Sequence, residues 1–329
     1  MSALNRIDDR FEICSAGVPS SGGLRAGPVL DRLPIERVLM QPCPEAKFVL
    51  PGLMPGMVGA IAGPGAAGKT MLQLQVAVDI ALKRAPVGGL FPAASRALRV
   101  AFVSGEETEM TCGRRLHAII DNLLEPLLPL DRPAARADMA LQIDEHFDLY
   151  AASGIDVSLL RRGVRTPMLG DLRARLDGFD IVFFETLSRM HDGDENSATD
   201  MAALVNALEW LAQSTGAAVV VTHHTSKSAE FNNMSDSANA ARGSSAFVDN
   251  IRWLANLFVM SKDAAAERGL EESARKSFLR FEITKANHMA PTPARWLTRR
   301  SGGVLAADPV FRSSTRGSAR SSRRAHEYE

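Results

Sequence analysis

The segment GPGAAGKT at residues 63–70 constrains this chain more than any other. It fits the pattern G-x-x-x-x-G-K-[ST], and its flanks fit too: the apolar run MVGAIA precedes it and MLQLQVAVDIAL follows. A strand that turns through glycines straight into a helix builds a cradle for phosphate. Gly63, Gly65 and Gly68 let the backbone turn tightly and approach phosphate oxygens closely. With Ala66 and Ala67 between them, successive N–H groups point into one concavity at the positive end of a helix. Lys69 then places a cation on the β- and γ-phosphates, and Thr70 offers a hydroxyl to Mg²⁺. ATP and Mg²⁺ are the expected ligands.

The rest of the chain repeats the alternation around that loop. Short apolar runs at Met57–Ala62, Arg99–Ser104, Asp180–Glu185, Ala217–His224, Ile251–Met260 and Phe278–Lys285 read as strands. Helical patterns separate the first four. In Thr199–Ser214, Met201, Leu204, Val205, Leu208, Leu211 and Ala212 share one helical face. Met71–Leu82 is apolar on nearly all sides, as expected for a helix buried beside a sheet. Continuous apolar strands joined by helices predict an α/β fold, with a mostly parallel sheet flanked by helices. The last two runs have a single helix between them, which predicts an antiparallel extension. The expected organisation is an irregular N-terminal arm at 1–45, one domain at 46–311, and a disordered basic tail at 312–329.

A phosphate loop needs an acid near the metal and a base for water. Three of the runs end in polar residues, where an open α/β sheet gathers its ligands. RVAFVSGEE ends in Glu106 and Glu107, and either could take a proton from attacking water. An acidic pair also suits a helix N-terminus for purely structural reasons. IVFFETL carries Glu185 after four apolar residues, where a metal-site aspartate is usual. Its longer arm can still reach a Mg²⁺-bound water. AAVVVTHHTSK ends in His223 and His224, which point to opposite faces of a strand and so cannot share one task. One can be a core histidine while the other bonds the γ-phosphate.

Composition narrows the partners. The chain holds 38 basic and 38 acidic residues in 329, so nucleic-acid contact must come from a local surface such as a channel lining. Cys14, Cys43 and Cys112 are scattered, with no metal or disulfide spacing. The N-terminus is charged where a signal peptide is apolar, and no run is long enough for a bilayer. A cytoplasmic protein without membrane attachment is expected.

The ordered set GPGAAGKT, SGEE, FFETL, THHTSK, ARGSSAFVDNIRW and TKAN resembles the RepA-type hexameric DNA helicases of broad-host-range plasmids, over roughly 46–306. The resemblance implies a RecA-like P-loop core and a homo-oligomeric ring, a hexamer, that unwinds DNA and moves on single strands. It implies Lys69 and Thr70 as nucleotide and metal ligands, Glu106 as catalytic glutamate, and Glu185 at the metal-site position where the family has Asp. His224 matches a sensor histidine, and Arg242 an arginine finger reaching the neighbouring subunit's nucleotide. Lys285 falls where related rings place a trans-acting lysine.

In such rings two loops line the pore, here roughly 189–198 and 226–241. In the second, Lys227, with Phe231, Asn232 and Asn233, could contact phosphates and stack a base. A replication helicase of this size would work with a separate initiator and primase. Two other readings fit the same motifs: a RecA-like recombination or loading ATPase that does not unwind, and a nucleotide-gated regulatory ATPase.

Overall fold

The computed structural model describes residues 32–43, 45–224 and 245–308. The chain divides into two units, 1–45 and 46–329. The first contains a six-residue helix, α1 (Ile35–Met40), closed by a bond from the Val38 amide to the Pro34 carbonyl. No sequence periodicity announces it, because it is under two turns long.

The second unit is built on a sheet that, among the described residues, has nine strands. They are β1 (Val58–Gly63), β2 (Val100–Ser104), β3 (Phe147–Ala151), β6 (Ile181–Glu185), β7 (Ala218–His224), β8 (Trp253–Val259), β9 (Phe278–Ala286), β10 (Arg295–Arg299) and β11 (Leu305–Ala307). Their spatial order is β11-β10-β9-β8-β1-β7-β6-β2-β3. A small separate hairpin joins β4 (Leu160–Arg161) to β5 (Val164–Arg165). From β3 to β8 all neighbours are parallel. From β8 through β11 each pairing is antiparallel. The structure is thus a mostly parallel α/β sheet of the RecA-like P-loop type with an antiparallel extension. The six expected runs all form strands, shifted by one or two residues at their ends.

The helices α2 (Lys69–Ala81), α3 (Pro86–Gly89), α4 (Glu109–Leu124), α5 (Arg132–His146), α6 (Pro167–Arg175), α7 (Ala198–Thr215), α8 (Ser245–Asn250), α9 (Lys262–Ala266) and α10 (Glu272–Arg275) complete the unit. Two of them show why they start and stop. Thr108 accepts from the Thr111 amide at the start of α4, and Ser197 accepts from the Asp200 amide at the start of α7. Both are side-chain caps for otherwise orphaned donors. Gly216, at φ 75°, ends α7 in the left-handed conformation that suits glycine.

The period-2 geometry of the strands splits the core into two layers. Ile181 and Phe183 of β6 join Ile61, Leu72, Leu74, Phe102 and Val220 on one face. Val182 and Phe184 join Ala60, Val103, Val219, Val221, Leu204 and Leu208 on the other. Burial on both faces accounts for the unbroken apolar runs. Strand β3 escapes that signal: it lies at the edge, and only Phe147 of its five residues is buried.

Candidate functional site

Parallel pairing lines up the ends of four strands. In register, Gly63 of β1 sits beside His224 of β7, and Ser104 of β2 sits beside Glu185 of β6. The order β2-β6-β7-β1 therefore gathers these residues on one edge of the sheet. The loop 63–70 leaves from the same edge.

Two glycines show what the loop demands. A methyl group on Gly63 would lie 2.2 Å from the Leu257 carbonyl oxygen, so the strand end packs where no side chain fits. Gly68 has φ 96° and caps α2 from the left-handed region. Ala66 is left-handed as well, with φ 59°. For a residue with a Cβ that conformation costs about 1–2 kcal/mol and must be held by its surroundings.

Lys69 opens α2 and is only 6% exposed. Its ammonium donates to the carbonyls of Gly63 at 2.7 Å and Pro64 at 2.8 Å, and lies 3.3 Å from His224 Nδ1. Burial lowers its pKa to about 8, against the opposing pull of Glu185 and Glu106. An uncompensated buried cation is costly. An anion in the loop would relieve that cost.

Thr70 follows on the helix. Its hydroxyl donates to Glu185 Oε1, while Ser104 Oγ donates to Glu185 Oε2 at 2.5 Å. Glu185 is 6% exposed, and burial raises its pKa despite the two hydroxyl bonds. The chemistry of this pair fits Mg²⁺. A hydroxyl and a carboxylate are hard oxygen donors, and Mg²⁺ takes few protein ligands beside water and phosphate oxygens.

The two glutamates after β2 differ sharply. Glu107 is paired with Arg115 of α4, which donates through Nε at 2.7 Å and through a second nitrogen. Its amide donates to Ser104 Oγ at 3.1 Å, and its side chain is 12% exposed. Glu106 is 38% exposed and, among the described residues, meets the edge of Arg189 at 3.4 Å. Its charge still acts on Lys69 and His224.

The histidines diverge as neighbours in a strand must. His224 turns to Lys69, and its pKa is lowered first by burial and then by the lysine cation. His223 is 1% exposed, with its ring 5.2 Å from that of Phe247. Burial pushes its pKa down to about 4.

Lys285 of β9 donates to the carbonyls of Val248 at 2.8 Å and Asp249 at 3.0 Å, near the end of α8. A trans-acting role would require it to leave these acceptors. Arg242, Lys227, Phe231 and Asn232 lie outside the described residues, as do the 309–329 stretch and most of the arm. The loop after β6 is ordered by its own polar groups. Gly193 donates to His191 Nδ1 at 3.1 Å, and Asp194 to Asp200 Oδ2 at 2.9 Å.

Four residues at this edge carry no sequence signal of their own. Ser104 ends a strand as many serines do. Arg115 and Arg189 become partners of Glu107 and Glu106 only through the fold. Arg299, from β10, donates to the Ala66 and Ala67 carbonyls of the phosphate loop across more than 200 residues of sequence. None of these pairings has a fixed spacing to search for.

The AAA domain family model matches residues 27–230, more than half of the chain. Among solved structures, the chain is similar to "The Structure Of A DnaB-Like Replicative Helicase And Its Interactions With Primase", with a TM-score of 0.56 and 13% identity over 77% of this chain and 58% of that one. It is also similar to a solved ATPase domain, with a TM-score of 0.51 and 15% identity over 77% of this chain and 85% of that one. At these identities the likeness concerns the fold.

Proposed function

We propose, from the premise that this chain belongs to the AAA domain family, that it is a ring-forming ATPase that draws single-stranded DNA through its pore and separates duplex strands. One observation carries the chemical part of the proposal. A buried lysine in a phosphate loop, a hydroxyl–carboxylate pair and an accessible glutamate stand together on one sheet edge.

Each residue then has a task. Lys69 exchanges its carbonyl partners for phosphate oxygens. The N–H groups of Gly65, Ala66 and Gly68 hold the remaining phosphate charge. Thr70 and Glu185 would hold Mg²⁺, which neutralises charge on the β- and γ-phosphates when bound. Glu106 orients water and takes its proton. The pairing of both Glu107 carboxylate oxygens with Arg115 favours Glu106 over Glu107 for that task.

His224 shares a hydrogen bond with Lys69, so departure of the γ-phosphate is felt at the end of β7. The chain that continues from there holds Lys227, Phe231 and Asn232, which contact the single strand. Arg242 of one subunit completes the nucleotide site of the next, which requires a head-to-tail ring, a hexamer. A separate initiator and primase would supply loading and priming.

A forked duplex with a labelled strand tests the proposal. The purified chain is expected to displace the strand only with ATP and Mg²⁺, and Lys69→Ala to displace none. A folded, oligomeric wild type that hydrolyses ATP and displaces no strand would rule out unwinding.

A further inference from the structure

Arg299 is the last residue of β10, and the chain arrives there after two reversals. Strand β9 runs against β8, and β10 runs against β9, so β10 points the same way as β8 and the parallel strands. Its C-terminal end therefore comes to the same edge as the ends of β1, β2, β6 and β7. There one terminal nitrogen of the guanidinium lies 3.2 Å from the Ala66 carbonyl oxygen and 3.1 Å from that of Ala67. A methyl group on Gly68 would lie 3.6 Å from the same nitrogen. The Nε of Arg299 is buried without a hydrogen-bond partner.

The hairpin that carries Arg299 has its own anchor. Gln75 of α2 donates to the Leu305 carbonyl at 2.8 Å and accepts from the Leu305 amide at 2.7 Å. These bonds join β11 to the helix that follows the loop without touching the loop itself. Docking of the hairpin and contact with the loop are therefore separable.

We infer that Arg299 is a positioning residue for phosphate binding, acting through the backbone of the loop from behind. A trans peptide carries its C=O and the next N–H on opposite sides. Holding the Ala66 and Ala67 carbonyls toward Arg299 fixes the Ala67 and Gly68 amides away from it. The Ala67 amide closes the turn on the Pro64 carbonyl at 3.3 Å. The Gly68 amide is delivered to the side opposite the guanidinium, where phosphate oxygens enter. The same bonds hold Ala66 in its left-handed conformation. Arg299 acts through backbone carbonyls, so it governs affinity and leaves the chemical step alone. The inference rests on the nucleotide reading of 63–70.

Binding of a fluorescent ADP and steady-state ATP turnover, measured on the full chain, test it with three variants. A hydrogen-bonded charge is worth roughly tenfold or more in an equilibrium. Arg299→Ala is expected to weaken nucleotide binding and raise KM about tenfold, with kcat within about twofold. Arg299→Lys keeps a cationic donor and should recover most of that loss. Gln75→Leu should lower Tm and leave the affinity unchanged. Wild-type affinity in Arg299→Ala, or equal losses in Arg299→Ala and Gln75→Leu, would overturn the inference. Wild type that binds no nucleotide would overturn the reading beneath it, and the inference with it.

Discussion

Strands β3 to β8 and strands β9 to β11 serve the same edge by different means. In the parallel part every strand ends there, so Gly63, Ser104, Glu185 and His224 are brought together by topology alone. In the antiparallel part only alternate strands end there, and what β10 brings is a guanidinium aimed at loop carbonyls. The parallel strands place groups that can meet phosphate, metal and water. The antiparallel ones place a group that steadies the first set. Both sets reach the edge because their strands run the same way; what differs is the group each strand end carries.

The difference can be broken most easily at the glutamates. Glu106→Gln should lower kcat by about 10²–10⁴-fold, the range for losing a general base, with nucleotide affinity retained. Glu107→Gln should lower kcat far less, about tenfold or under, by loosening its pair with Arg115. Single-turnover kinetics of the two variants will separate them. A larger loss in Glu107→Gln would reverse the assignment and show that the accessible carboxylate is not the reacting one.

A smaller effect should be found one residue from the site. His223 is held neutral by burial, with a pKa pushed down from 6.5 to about 4. The unfolded chain therefore takes up this proton first as the pH falls. Stability is lost between about pH 6.5 and 4 and is level below, by about 3 kcal/mol in all. Urea unfolding across that range should show the loss in wild type and a flatter limb in His223→Leu. Identical acid limbs would mean that the ring is hydrated or paired in solution.

Much of this architecture was legible from residue order, and the reason lies in burial. Strands covered on both faces must be apolar throughout, so β1, β2, β6, β7 and β8 stood out; β9 is half covered, with Leu279 and Phe281 buried. The phosphate loop stood out by its glycines, of which Gly63 lies too close to Leu257 for a side chain and Gly68 sits at φ 96°. Strand β3 was hidden by its half-exposed edge, and β11 by its length of three residues. The pairing that sets Glu107 apart from Glu106 was not legible in the sequence, because it depends on Arg115 of the following helix. Arg299 was hidden for the same kind of reason: its target is backbone, and backbone leaves no residue type to recognise.

The central proposed event is cleavage of ATP at this sheet edge in response to a bound single strand. ATP turnover of the full chain, with and without single-stranded DNA and beside Lys69→Ala, tests it directly. Mg²⁺-dependent turnover is expected to rise with the DNA and to fall at least ~100-fold in Lys69→Ala. Turnover indifferent to both the DNA and the lysine, in protein shown to be folded, would contradict it.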